Sequence, residues 1–443
     1  MMRQTSSEYP KPAQIHVSPV ASGWTLMNFP ARAPIRPGVL SAPDEKRSQP
    51  LKNSTVLSDM FAGHGIYYKI WPIGYAMALL GMLPVTFSPI RVSAHPLRST
   101  LVYCVAVTAL VLWSGFRMVQ DRIAVLADSG RSLQAYIHSV LSIVSALGIL
   151  LLPLLWLEVG NLYRNEATCA HLMESFPCSP KCRWSAVLSW ITVVNCALLS
   201  PIFALAYVQV IAREGAADYH FFIHNHVFLL VFCVSVMFCA LSHSVKNYAN
   251  NLCSTVTEVL SLKCPSPKRL VLCRRAWLRL RDLTQGMVVM PFTAMFLMLF
   301  VLLMTTLGSY LCLLCLFESQ VVRGIFLLIL GLYFSGLLLL VCDAVHRTTA
   351  AVGDNFLRPL ESFCRANEIG DAAMEEVNIF REIVASKEIS VSAAGFWVIN
   401  RGTLGSLAAA SVSYLVILIQ FRQTENTVND AMNHTQDTIS IVK

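Results

Sequence analysis

Hydrophobic and polar positions fall along this chain in long blocks, each apolar run closed by charges. Ser99–Phe116 lies between Arg98 and Arg117, Ser132–Leu157 between Arg131 and Glu158, and Trp184–Ala212 between Arg183 and Arg213. Tyr219–Val245 follows between Asp218 and Lys246. Leu283–Phe317 runs for 35 residues without a charge, Gly324–Cys342 sits between Arg323 and Asp343, and Gly402–Phe421 between Arg401 and Arg422. The last run holds 20 residues, and at about 1.5 Å per residue that is about 30 Å, the hydrocarbon thickness of a bilayer. The pattern predicts an all-α membrane protein with seven transmembrane helices. The 35-residue run exceeds one crossing, so its helix is expected to start around Pro291.

Two stretches depart from this pattern. The first sixty residues contain Pro10, Pro12, Pro19, Pro30, Pro34, Pro37, Pro43 and Pro50 without apolar periodicity, which predicts a disordered tail over 1–60. No cleavable signal peptide is expected there, so the first membrane helix must direct insertion. Ile66–Phe87 is apolar but interrupted by Lys69, Pro72, Gly74, Gly81 and Pro84. Residues 61–98 are therefore read as an interfacial or re-entrant segment.

Composition agrees: 55% of residues are apolar and 14% charged, where a soluble domain carries about a quarter charged. Charge sets the orientation. With the N-terminus inside, the inner segments are 1–98, 158–183, 246–282 and 343–401. The third of these alone holds Lys246, Lys263, Lys268, Arg269, Arg274, Arg275, Arg279 and Arg281. The outer connections hold only Arg117, Arg122, Arg131, Arg213 and Arg323, with Arg422 and Lys443 in the tail. The positive-inside rule selects a cytoplasmic N-terminus and an extracellular C-terminus. All 14 cysteines fall in spans or inner segments, which suits a reducing cytosol and argues against an outer disulfide framework. The sequon at Asn433 lies in the outer tail, 422–443, and is a glycosylation candidate; that at Asn53 would be inside and silent.

Residues 346–401 carry Phe356, Leu360, Phe363, Met374, Val377, Phe380 and Ile383 at helical spacing, which predicts helices over Asn355–Glu368 and Ala372–Ser390. Pro359 is expected to delay or kink the first. Such helices suit a cytoplasmic bundle that mediates subunit contacts.

Chemistry on the spans is sparse. His220, His224 and His226 cluster at the outer end of the fourth span, the first two on one helix face. No carboxylate or cysteine pattern completes a zinc set, so a polar pocket or interface is favoured over metal or proton sensing. Cys178/Cys182 and Cys312/Cys315 are weaker signals, the second pair lying inside a span where thiols behave as small apolar groups. No nucleotide loop or nucleophile motif is present, and no enzymatic activity, metal, cofactor or nucleic-acid partner is expected. A transporter would show an internal repeat, and none is visible.

On the last span, Ser413, Val416, Ile417, Gln420 and Thr424 share one helix face, and Gly402, Gly405, Ser406 and Ala408–Ala410 are small, allowing close backbone approach in lipid. SYLVILIQF, Ser413–Phe421, resembles the Thr-Tyr-(five apolar)-Gln-Phe signature in the last helix of insect gustatory receptors, with family motif positions Ser413, Tyr414, Gln420 and Phe421. SAAGFWVINRGTLGS, Ser392–Ser406, resembles the segment leading into that helix. The match is specific over Glu375 to Gln423. Ser413 replaces the family's usual Thr, keeping the hydroxyl.

The resemblance implies a tastant-gated, non-selective cation channel in the plasma membrane of gustatory receptor neurons. It implies a homotetramer or a heterotetramer with other gustatory receptors, the inner helices forming a shared anchor. The last helix, 402–421, would line a central pore, with Ser413, Ile417 and Gln420 as pore and gate residues. An apolar ring closes a pore by dewetting, and a polar ring hydrates an ion. The tastant pocket would lie in the outer half of residues 99–345, with Trp113, Gln120, Tyr136, His138, Tyr207, Gln209, His224, Ser309 and Tyr310 as candidates. Few carboxylates lie there, which tilts the ligand toward a hydrophobic plant compound of the bitter type; a sugar-type receptor is the alternative. The basic inner loops set topology and attract anionic lipid head groups. A seven-helix G-protein-coupled receptor is the poorer reading. Asp121-Arg122-Ile123 superficially resembles that family's triplet but follows the first clear span on the outer side, and no Asn-Pro-x-x-Tyr closes the last span.

Overall fold

The computed structural model describes residues 71–84, 86–87, 92–93, 98–128, 133–158, 187, 191–192, 194–211, 218–262, 265–285, 291–366, 372–386 and 389–441. The expected tail over 1–60 lies outside them. Almost every described residue is helical, as an apolar chain must be where no water can satisfy its backbone.

The first described helix, α1 (Trp71–Leu79), has 9 residues, about 14 Å, too short to cross a bilayer. Its Ile73 and Met77, with Met82 and Leu83 beyond it, are fully buried. Gly81 turns the chain at φ +69, where a Cβ would meet Val107 Cβ at 2.7 Å, so only glycine fits. A two-stranded hairpin follows, β1 (Thr86–Phe87) against β2 (Val92–Ser93), with Thr86 opposite Ser93.

Among the described residues, six helices are long and apolar enough to cross a membrane, spanning Thr100–Ala127, Tyr136–Glu158, His220–Ser261, Pro291–Phe317, Val321–Arg365 and Arg401–Thr424. A shorter apolar helix, Asn195–Val208, falls within the expected third span. The remainder of that span is partly outside the described residues. The elements are α2 (Arg98–Asp128), α3 (Leu133–Leu147, continued through a 3-10 turn at Gly148–Leu150 to residue 158), α4 (Ser200–Ile211, entered through a π turn at Asn195–Leu199), α5 (Asp218–Ser261) and α6 (Pro267–Gln285). Then come α7 (Pro291–Phe317), α8 (Val321–Val352), α9 (Asp354–Ala366) and α10 (Ala372–Ser386). A second hairpin, β3 (Ser392–Ala393) with β4 (Trp397–Val398), leads into α11 (Arg401–Ile441).

The central post is α5, almost wholly apolar over 227–241 and buried at nearly every position there, as a helix packed on every side must be. It meets α2, α3, α4, α6, α8 and α9. At Gly148 of α3 a Cβ would meet Val227 at 2.6 Å and Phe300 at 2.7 Å, so the missing side chain lets α3, α5 and α7 converge.

Several helices overrun their expected ends because the bilayer edge does not by itself stop a helix. At 44 residues, α5 is about 66 Å long and runs on past Val245 to Ser261. Likewise α2 passes Phe116 to Asp128. The expected helix 402–421 continues to Ile441 through the expected tail, because no glycine follows Gly405 and no proline interrupts it. Asn433 therefore sits on a helix. The 35-residue run does break, with α6 ending at Gln285 and α7 beginning at Pro291. The helix expected over Ala372–Ser390 ends at Ser386, and residues 389–390 are not helical. Pro359 does not delay α9, which begins at Asp354; it sits inside the helix. The carbonyl of Asn355, which Pro359 has no N–H to reach, accepts the Cys253 thiol of α5 at 3.2 Å.

Beyond the spans, the ends of α5 and α8 form a bundle with α6, α9 and α10. Trp277 is fully buried, its indole donating to Val352 O at 2.9 Å, with Phe380 edge-on at 6.0 Å. Arg274 and Glu376 form an ion pair between α6 and α10.

Candidate functional site

Around the first turns of α5, helices α2, α3 and α4 bring together a polar-aromatic cluster. His224 sits one turn after His220 and one before Phe228, and the three rings follow one face of α5, with centroids 6.5 Å and then 6.3 Å apart. Tyr207 of α4 packs on His224 at 4.3 Å and edge-on to Phe228 at 5.7 Å. Ser145 of α3 holds His224 Nδ1 at 2.7 Å, and the Tyr207 hydroxyl points to Leu141 O at 3.5 Å. Tyr207, His224 and Ser145 are all buried. Half-buried Arg122 of α2 stands within electrostatic reach of Tyr207, His220 and His224. Its Nε is buried and makes no hydrogen bond among the described residues. The third histidine, His226, faces another way, beside Phe222 at 6.1 Å. Among the described residues no group of three His, Cys, Asp or Glu could hold a metal ion.

The cluster continues downward as an aromatic ladder. Phe228 meets Phe334 of α8 edge-on at 5.5 Å, and Phe334 meets Phe300 of α7 at 5.9 Å. The two helices reached in this way, α7 and α8, are the ones against which α11 packs.

Of the nine pocket candidates, Tyr207 and His224 are in contact with each other. His138 is half-buried. Trp113 (57% exposed, under Arg117 at 5.8 Å), Tyr136, Gln120 and Ser309 face outward. Tyr310 is buried elsewhere, between α7 and α11. The side chain of Gln209 lies outside the described residues. Ser145, Arg122 and Phe228 were not singled out by pocket reasoning. The i, i+4, i+8 spacing of His220, His224 and Phe228 is the one signal that marks Phe228 beforehand.

The second candidate element is α11. Asn400 caps it, accepting from Thr403 N at 2.9 Å as N-cap residues do. Leu404, Leu407, Leu415, Leu418 and Ile419 pack against the core. On the opposite side Gly402, Ser406, Ala409, Ser413, Ile417 and Gln420 form one exposed stripe. Ser413 Oγ donates back to Ala409 O at 3.0 Å. Val412, Tyr414, Val416 and Phe421 are also exposed, so a single chain leaves this face bare although it is largely apolar.

Comparisons with known proteins agree with this architecture. The family model described as "7tm Chemosensory receptor" matches residues 72–425. Gustatory and odorant receptor 24 of Anopheles gambiae is 25% identical over 361 residues, 79% of this chain and 77% of that protein. Gustatory and odorant receptor 22 of the same mosquito is 29% identical over 101 residues, 23% of this chain and 21% of that protein. Among solved structures, the insect olfactory receptor OR5 from Machilis hrabei superposes with a TM-score of 0.57 at 15% identity, covering 79% of this chain and 97% of that one. The same receptor in complex with eugenol gives 0.55 at 15% identity, over 80% and 97%.

Proposed function

The chain belongs to the 7tm chemosensory receptor family, a multi-pass membrane family of receptors rather than enzymes, and from that premise we propose that it is a tastant-gated, non-selective cation channel. The observation that carries the reading is the exposed stripe of α11: Gly402, Ser406, Ala409, Ser413 and Gln420 are small or polar, and in a bilayer such a face is expected to meet other helices or line a polar path, whereas a purely apolar face would be covered by lipid. Four copies around an axis would place rings of Ser413, Ile417 and Gln420 along one pore. The Ile417 ring supplies a dewetting gate and the Gln420 ring supplies amides that hydrate a passing cation. No charge lies on this helix between Arg401 and Arg422, so discrimination among cations is weak.

The ligand site in this reading is the Tyr207–His224–Ser145 cluster. Side chains in contact with Tyr207 and His224 are aromatic or hydroxyl-bearing, which suits an apolar or aromatic plant compound with one hydrogen-bonding group. A sugar needs several carboxylates or amides instead. Arg122 Nε is a buried donor that an acceptor on such a compound would satisfy. That the same fold has been solved in complex with eugenol supports a small-molecule ligand. The setting is the plasma membrane of a gustatory receptor neuron, in a homotetramer or with related subunits.

Ligand-evoked cation current in excised patches without nucleotides tests the reading. A panel of plant secondary compounds and sugars applied to cells expressing the chain identifies the class. Current that disappears with G-protein blockade and returns with a nucleotide would replace the channel by a coupled receptor.

A further inference from the structure

We propose that the crevice between α7 and α11 beneath Arg422 is a phospholipid site, in which an acyl chain fills the apolar gap and the Arg422 guanidinium meets the phosphate. The crevice has a volume of about 320 Å³ and is lined by Tyr310, Leu313, Leu314, Phe317, Ile419, Arg422 and Gln423. Its polarity is graded. Leu313, Leu314 and Ile419 form the wall, Tyr310 lies about 10 Å below Phe317 at helical rise, and Arg422 and Gln423 close the end that follows the uncharged run. Polar groups confined to one end of an apolar gap suit an amphiphile whose other end is held by the bilayer.

The depth of the cation identifies the head group. Arg422 is the first charge after the 20 uncharged residues Gly402–Phe421, and Glu318 the first after Leu283–Phe317. These two boundary charges meet at 3.5 Å, which places Arg422 at the level where hydrocarbon gives way to head groups. A guanidinium presents five donors in a plane matched to phosphate oxygens. The 3.5 Å contact with Glu318 engages one guanidinium nitrogen, so the carboxylate holds Arg422 over the crevice without exhausting its donors. A bound chain would wedge α11 against α7, the contact that the pore helix keeps with its own subunit. Binding at this site does not depend on the channel reading or on the pocket around His224.

The test uses the full-length protein in nanodiscs containing a phosphatidylcholine with a photoactivatable diazirine on its acyl chain, followed by peptide mapping. The expected result is labelling concentrated on residues 310–317 and 419–423. Leu313→Trp, which fills the gap, and Arg422→Gln should each lower that labelling at least five-fold. Arg422→Lys should restore most of it, and Glu318→Gln should leave it equal or higher. Size-exclusion profiles and cell-surface levels are measured beside each variant. Labelling spread evenly over all lipid-facing helices, or a site unchanged in both Leu313→Trp and Arg422→Gln at wild-type expression, overturns the proposal. So does covalent capture of a second copy of the chain at these residues in place of lipid.

Discussion

Asp343 of α8 holds Arg401, the first residue of α11: the guanidinium Nε donates to Oδ1 at 2.9 Å, and a second nitrogen of the same group reaches that oxygen. The other carboxylate oxygen takes Arg347 at 2.8 Å, one turn further along α8. With Arg422–Glu318 at the far end, α11 is tied at both ends of its uncharged run to the α7–α8 hairpin.

These ties are partly exposed, with Asp343 at 25% and Arg401 at 54%, so each contributes no more than about 1 kcal/mol to stability. Asp343→Asn should therefore lower the melting temperature of purified receptor only slightly while raising ligand-free current, because the Arg401 end of α11 is released. The charge swap Asp343→Arg with Arg401→Asp should return basal current toward wild type. Equal basal currents in all three proteins at matched surface levels would assign the pair no part in gating.

Glu158 is a different case. It is 5% exposed and accepts hydrogen bonds from Phe292 N at 2.7 Å, Thr293 N at 3.1 Å and Thr293 Oγ at 2.6 Å. A carboxylate from the end of α3 thus caps the first turn of α7, where free N–H groups favour an anion. Glu158→Ala leaves three donors without this acceptor and should cost on the order of 3 kcal/mol. Glu158→Gln keeps one acceptor oxygen and should cost less. Thermal unfolding in detergent, followed by fluorescence-detected size exclusion, ranks the two variants.

The gate prediction rests on the bare stripe. Ile417→Ala should widen and wet the apolar ring and raise ligand-free current. Gln420→Ala should alter relative permeability to sodium, potassium and calcium. Leu418 packs inward, so Leu418→Ala should reduce expression or stability more than it changes permeation. If Ile417→Ala and Gln420→Ala reach the surface with basal current and selectivity unchanged, another face lines the pore.

For the pocket, His224→Ala removes the partner of Ser145 and the ring packed at a tilt on Tyr207, and should raise the half-maximal ligand concentration at least ten-fold. Tyr207→Phe keeps the ring and removes the hydroxyl, which lies near Leu141 O at 3.5 Å and beside Ser145, and should shift the half-maximal concentration less than His224→Ala. Trp113→Ala, on an outward-facing residue, should leave the dose–response curve in place.

What the sequence by itself determined is what depends on local chemistry. An uncharged run of about 20 residues enters lipid wherever it stands in the chain, so the spans and their order were legible without coordinates. Pro291 marked the start of α7 for the same local reason. So was the stripe of Ser413, Ile417 and Gln420, because helical spacing alone puts those residues on one side. Only the tertiary structure decided which polar groups meet. Ser145 and His224 are 79 residues apart and Glu158 and Thr293 are 135 apart. Each pairing depends on how far a helix is rotated about its axis and how closely its neighbours approach. That rotation is set by packing, as where the bare Gly148 admits Val227 and Phe300. No periodicity in one helix encodes the position of another, so Tyr207 and His224 joined a cluster while Trp113 and Ser309 turned outward. Helix length beyond the bilayer escaped the hydropathy pattern too, since α5 and α11 run on through polar sequence until a breaker or the end of the described chain stops them.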